Sequence, residues 1–406
     1  MRIVADPLHI AIDGNEANVA NRVGSNVYAF ELLTALEEKT RNNPTIACTI
    51  LLANPAQNTL PTERNGWKYK VIHPQKFWTQ WALPLHLFRK RKVYDIFFTP
   101  SHYAPRICPI PYVSSVMDTA YLDYPDQFTP RDRLQLTKWT QYSVQNARKV
   151  IAISNYTRAS VVENYGKPEK DVLVVYPAST KLKTSLTPEE TQTFFSKHTI
   201  SGSYILFVGT LQPRKNLHCL IEAYELFRDE LAKQSDAVVL QKSTTRKNMT
   251  MHPPQLVLAG KVGWLAEPIM EKIQKSKYRA DIITTGYISE VEKKTLLSKA
   301  ICTTLIGLHE GFGIPPLEAM LYGSIPLVAN TTSLPEVVGK AGFLVDPRDV
   351  EGIAHALLRI QRLTVRERAV YLRSGREQAA QFSWARSAEV LLKTLLTIVD
   401  QTYYKV

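Results

Sequence analysis

The sequence predicts an α/β protein of two doubly wound, Rossmann-like domains facing a cleft. Three observations predict it. The chain has 406 residues, too many for one ordinary domain and comfortable for two. Both halves alternate short β-branched runs with amphipathic stretches, and the runs are apolar almost throughout, as in parallel sheets covered on both faces. A polar, proline-containing segment, Tyr176 to Glu190, separates the two series and is taken as the linker.

In the first half the strand-like runs are HIAIDG, TILLA, YKVIH, DIFFTP, YVSSVMD, KVIAIS and VLVVYP. Helical patterns such as NVYAFELLTALEEKT and LQLTKWTQYSVQNARK lie between them. In the second half the runs are YILFVG, QLVLAG, DIITTG, CTTLIG, IPLVA and GFLVD. The chain closes on FSWARSAEVLLKTLLTIVDQTYYKV, a helix with apolar spacing near 3.6 and Ser383 as its N-cap. The expected boundaries are 1–180 and 181–383, with 384–406 crossing back to the first domain. Lys233 to Pro254 is polar and basic where a short loop is usual, and is read as an unstructured insertion.

Apolar residues make up 45% and charged residues 21%, as in a soluble protein with large cores. No apolar run approaches the roughly 20 residues of a membrane span, and the N-terminus lacks the layout of a signal peptide. Cys48, Cys108, Cys219 and Cys302 are far apart with no CxxC spacing, and read as reduced thiols of a cytoplasmic protein. The net charge of +13 suits phosphorylated ligands, anionic lipid or nucleic acid. No nucleic-acid-binding signature accompanies it, so nucleic acid is not expected as a partner.

The informative stretch is LHEGFGIPPLEAM, Leu308 to Met320. Gly311-Phe312-Gly313 allows a tight turn with close approach of backbone to a ligand. Pro315-Pro316 presets a helix expected over Leu317 to Tyr322, which Gly323 ends. Glu310 is placed at a strand's C-terminal edge and Glu318 in the first helical turn. Free N–H groups at a helix start receive phosphate, whereas a carboxylate accepts both hydroxyls of a vicinal diol. A ligand with a diphosphate in its middle and a diol at each end matches this layout, and a nucleotide sugar is such a ligand. The competing reading makes Glu318 a helix-dipole residue and Glu310 a solvated loop acid.

These residues resemble the Glu-x7-Glu motif of retaining family 4 glycosyltransferases of the GT-B fold, especially the mannosyltransferase-like members of group 1. FVGTLQPRKNLHCLIEAY, LVLAGKVGWLAEPI, TTGYISEVEKKTLLSKA, TSLPEVVGKAGFLVDPRDVEGIAHAL and FSWARSAEVLL resemble further segments of that family, in order. The resemblance implies an N-terminal acceptor domain and a C-terminal domain for a nucleotide-diphosphate sugar donor. It assigns Glu310 to hydroxyls of the transferred hexose and Glu318 to the nucleotide ribose. Arg214 and Lys215, after Gly209-Thr210, would neutralise the leaving diphosphate. The backbone of Gly311, Phe312 and Gly313 would face the sugar and distal phosphate, and Gly24 would approach the diphosphate from the N-terminal domain.

Two positions depart from the family pattern. Thr210 stands where many relatives carry arginine, and Met117 precedes Asp118 where relatives often have histidine. His102 is a compensating candidate, with a structural histidine as its competitor, and Asp118 is an acceptor-side candidate. No Asp-x-Asp pair occurs, so neither metal nor other cofactor is expected. The expected reaction is hexose transfer with retained configuration to a glycan or lipid-linked acceptor, in cell-surface polysaccharide synthesis. A GT-B phosphorylase or epimerase and a catalytically silent sugar-nucleotide-binding protein are the alternatives. Lys76 to Lys92 joins Phe77, Trp78, Trp81, Leu85 and Phe88 to a basic cluster, and is a candidate for peripheral membrane contact at the inner face. An ordinary core-packed helix with a solvated basic end is its competitor.

Overall fold

The computed structural model describes residues 7–179, 182–240 and 253–403. The chain divides into two compact units, residues 1–178 with 382–406, and residues 179–381. Each is a wholly parallel sheet with helices. In the first unit the strands are β1 (Leu8–Asp13), β2 (Ile46–Leu52), β3 (Trp67–Val71), β4 (Ile96–Thr99), β5 (Tyr112–Val116), β6 (Lys149–Ala152) and β7 (Val172–Val174). Their order across the sheet is β3-β2-β1-β4-β5-β6-β7. The second unit holds β8 (Tyr204–Val208), β9 (Gln255–Ala259), β10 (Ile282–Gly286), β11 (Cys302–Leu305), β12 (Ile325–Ala329) and β13 (Phe343–Val345). They lie in the order β10-β9-β8-β11-β12-β13.

Every strand-like run of the sequence forms a strand. The central strands β8, β9, β11 and β12 are buried along their whole length, which is why their sequences do not alternate. In the first unit the C-terminal helix Trp384–Tyr403 lies on the helix Ser25–Thr40. It buries Leu391, Leu395, Ile398 and Val399. Trp384 meets Tyr28 edge-on at 5.7 Å, and Lys39 pairs with Glu389 at 3.0 Å. Ser383 caps this helix as expected, its hydroxyl accepting from the Arg386 N–H at 3.1 Å. All four cysteines are free thiols.

Three local expectations need correction. The segment taken as linker ends in structure: Thr187 and Glu190 form a capping box that starts the helix Pro188–Lys197. The segment read as an insertion from Lys233 begins helical, because the helix Leu217–Leu240 runs on into it; residues 241–252 lie outside the described residues. The 76–92 segment is not one helix. Phe77 is left-handed, Trp78–Ala82 forms a π-helical turn, and an α-helix covers Leu83–Arg89. Pro84 lies just past the π-helical turn, which runs directly into this α-helix.

Strands β8 and β9 leave their sheet through a glycine pair. A Cβ on Gly260, whose φ is +151°, would lie 2.0 Å from the Gly209 carbonyl oxygen. Gly260→Ala is therefore expected to destabilise the second unit by about 3 kcal/mol, through overlap and backbone strain together. A thermal or denaturant melt checks this, and a shift below about 0.5 kcal/mol would contradict it.

Candidate active site

Open parallel sheets bind ligands off the carboxyl ends of their strands, where successive connections leave in opposite directions. In the second sheet that point lies between β8 and β11. The segments leaving these two strands are Gly209 to Lys215 and Gly307 to Gly313. They carry Gly209, Thr210, Arg214, Lys215, Glu310 and the glycine turn.

The first ends in a single 3₁₀ turn, Pro213–Lys215, closed by Asn216 in the left-handed conformation. Asn216 is buried and clamps the turn in place. Its side-chain amide donates to the Ile306 carbonyl at 3.2 Å and to the Pro347 carbonyl at 2.5 Å. The Leu308 N–H donates to the Arg214 carbonyl at 3.0 Å, docking the two segments on each other. Lys215 Nζ then reaches Glu310 Oε1 at 2.5 Å. Two residues 95 positions apart thus form a largely buried ion pair, with side chains 13% and 10% exposed.

Glu310 is fixed through its main chain as well. Its N–H donates to Thr332 Oγ1 at 3.2 Å, and the Ser333 hydroxyl donates toward the carbonyls of Glu310 and Phe312, both at 2.8 Å. Phe312 is buried, 3% exposed, and its carbonyl is taken by Ser333; Gly311 and Gly313 are buried with it. Gly313, with φ +109°, is the N-cap of the helix Ile314–Tyr322, and Gly323 ends that helix in the left-handed conformation.

The helix begins three residues before the expected Leu317. Glu318 is therefore its fifth residue, in the second turn, and no acidic residue occupies the first turn. Helix-dipole stabilisation does not account for Glu318. Its carboxylate is buried and meets Lys293 Nζ at 2.7 Å; Lys293, from the helix Glu290–Lys299, also pairs with Glu290 at 2.8 Å. Burial pushes the Glu318 carboxyl above the ordinary range, Lys293 opposes this, and Glu290 adds to it. Sequence reading missed Asn216, Lys293, Thr332 and Ser333. Asn216 had a signal, an asparagine closing a short basic turn before an apolar helix. Lys293 had none, since its partner is 25 residues away.

Lys293→Met is expected to leave Glu318 buried without its counter-charge. The Glu318 carboxyl then rises further above its unfolded value. A folded state that holds an extra proton loses stability as pH climbs from the ordinary carboxylate range toward neutrality. The variant should lose about 3 kcal/mol at pH 8 and less at pH 5. Urea unfolding at both values checks this; equal deficits would contradict it.

Gly209 continues the sheet pattern, its N–H donating to the Ala259 carbonyl at 2.9 Å. This N–H is committed to protein and is not a phosphate donor. Thr210 follows directly, and its methyl would lie 2.7 Å from a Cβ on Gly263.

The remaining candidates belong to the first unit. Gly24 is the N-cap of the helix Ser25–Thr40, and a Cβ there would meet nothing within 4 Å. Asp118 follows β5, with Oδ1 accepting from the Ala120 N–H at 3.2 Å. Met117 is buried. His102 has a buried Nδ1 without a hydrogen-bond partner. Burial pushes the His102 imidazole below its ordinary range, and the charge of Asp118 opposes this. Asp13, at the end of β1, is a further carboxyl of this edge. Burial pushes it up to about 6 against hydrogen bonds from Asn15 and Thr99.

Two buried, lysine-paired glutamates thus flank a glycine turn at the switch point of the second sheet. Comparison with known proteins gives the family. Residues 190–377 match the glycosyl transferases group 1 family, and residues 23–178 match glycosyltransferase family 4. O-antigen chain mannosyltransferase B of Escherichia coli is 30% identical over 319 residues, covering 78% of this chain and 76% of that protein. A GDP-mannose-dependent phosphatidylinositol dimannoside mannosyltransferase of Mycobacterium tuberculosis is 32% identical over 143 residues, 35% of each chain. The crystal structure of Anabaena HepE in complex with UDP-glucose superposes with a TM-score of 0.69 at 15% identity, covering 96% of this chain and 100% of that one. The chain belongs to the family 4 glycosyltransferases of the GT-B fold.

Proposed function

We propose that this glycosyltransferase moves a mannose-like or glucose-like hexose from a nucleotide-diphosphate sugar to a glycan or lipid-linked acceptor, with retention of anomeric configuration, in cell-surface polysaccharide synthesis. The observation that carries the reading is the buried Lys215–Glu310 pair at the switch point of the second sheet. The second unit is the donor unit and the first the acceptor unit. Glu310 accepts hydrogen bonds from sugar hydroxyls, and Glu318 from the ribose diol. Lys215 and Arg214 counter the charge that grows on the departing diphosphate, in place of a metal. The acceptor hydroxyl attacks the anomeric carbon on the face the diphosphate leaves. Its proton passes to a phosphate oxygen as the glycosidic bond to phosphate breaks. Asp118 and Gly24 are the candidates that the acceptor unit carries. The mannosyltransferase relatives support a mannose-type donor.

The test is a thermal-shift and nucleotide-release panel on the purified chain, with GDP-mannose, UDP-glucose and other nucleotide sugars. One donor at about 100 times its Kd should add about 2.7 kcal/mol, several degrees in Tm. Release of its nucleoside diphosphate should follow when acceptor is added. No shift with any donor would overturn the reading. Met117, a buried side chain without hydrogen-bonding capacity where relatives often carry histidine, favours the catalytically silent alternative. Binding without release would select it.

A further inference from the structure

The segment from Lys76 to Val93 turns out to have two apolar faces. One is core: Trp78, Ala82, Leu83 and Leu87 are buried in the hydrophobic cluster of the first unit. The other is open. Phe77 is 57% exposed, Trp81 72%, Leu85 49% and Phe88 51%, and Val93 follows at 46%. Leu85 and Phe88, three residues apart in the α-helix Leu83–Arg89, lie within an arc of about 60°. A surface helix normally carries one apolar stripe, facing its core. Among the described residues nothing buries this second stripe.

Charge accompanies the stripe. Residues 76–93 contain no acidic residue and five lysines or arginines. Lys76 Nζ stands 5.4 Å from the Phe77 ring centre, and the Arg91 guanidinium 4.3 Å from that of Phe88. Cations therefore flank the exposed rings rather than occupying the opposite face. Lys90 and Lys92 are exposed beside them. Aromatic side chains at the rim of an apolar stripe, bordered by lysine and arginine and free of carboxylates, match an anionic lipid interface. The cations meet headgroup phosphates while the rings enter the acyl boundary. A protein partner would need matching acids for the cations, whereas an anionic bilayer supplies them at any orientation.

We propose that the exposed face of residues 76–93 docks the protein on anionic lipid bilayers. No helix of the described residues is long and apolar enough to cross a membrane, so this is contact at the surface. It stands independently of the donor site and holds whatever sugar is transferred.

Vesicle sedimentation with the full chain tests it, using phosphatidylcholine alone and phosphatidylcholine with phosphatidylglycerol. Binding is expected on the anionic vesicles, at least about 10-fold weaker on the neutral ones, and falling with salt. Changing Lys90 and Lys92 together to glutamine should lower partition about 30-fold, some 5-fold per cation. Trp81→Ser with Phe88→Ser should lower it on anionic vesicles, while Leu134→Ser, an exposed apolar residue elsewhere, should not. The tryptophan emission of the wild type should shift to the blue on binding, and Trp81→Phe should remove most of that shift. Absence of binding to anionic vesicles at low salt overturns the proposal. So does sedimentation equilibrium showing a dimer that Trp81→Ser dissolves, since the face would then belong to a second copy of the chain.

Discussion

Glu310→Gln is expected to lower kcat/KM by about 1,000-fold with the fold intact, a loss of about 4 kcal/mol of transition-state stabilisation. The size follows from the pair. The carboxylate is charged, largely buried and bonded to Lys215 at 2.5 Å. Glutamine of nearly the same shape keeps one acceptor but presents an NH₂ group beside it. That group cannot accept from a sugar hydroxyl, and toward Lys215 it sets donor against donor. The hydrogen bond that Thr332 accepts and those that Ser333 donates involve only the main chain of this segment, so the turn itself should survive. Steady-state kinetics with the preferred donor, alongside an unchanged circular dichroism spectrum, check the result. Turnover within 3-fold of wild type would remove Glu310 from the site.

Lys215→Met has the second-largest expected effect, about 100-fold or more in kcat with a smaller change in donor affinity. A cation facing a diphosphate is worth most as charge accumulates on the leaving group, which is the condition for an effect on kcat rather than on ground-state binding. The substitution also leaves Glu310 buried without its ion-pair partner, so part of the loss is misplacement of that carboxylate. The two contributions separate in a double-mutant cycle. Lys215→Met on the Glu310→Gln background should cost clearly less than on the wild type, because the pair acts as a unit. Strict additivity would show that the two residues work separately.

Much of the fold was legible because its strands are buried on both faces. Runs such as YILFVG and QLVLAG have no polar interruption, and each formed a strand. The helix that starts at Pro188 was less visible because its capping box, Thr187 with Glu190, looks like polar linker when read for composition alone. The helical part of the 76–92 segment starts only after Phe77, whose left-handed backbone has no signature in an aromatic residue. Within the candidate site, residues 214, 215, 310 and 318 were singled out by motif and spacing. Their pairing did not. Lys215 meets Glu310 only because β8 and β11 are sheet neighbours, and Lys293 meets Glu318 only because two helices lie side by side. The position of Glu318 was misjudged by a turn, since Ile314 rather than Leu317 opens its helix. That shift strengthens its candidacy, because a second-turn carboxylate buried against lysine has no helix-dipole duty to explain it.

The central claim is that the Lys215–Glu310 pair operates on a nucleotide sugar. It is tested most directly by measuring nucleoside diphosphate release from GDP-mannose and UDP-glucose in the presence of acceptor, for the wild-type chain and Glu310→Gln in parallel. The account predicts acceptor-dependent release by the wild type from one of these donors, and loss of about 1,000-fold in the variant. Equal release by both proteins would contradict it.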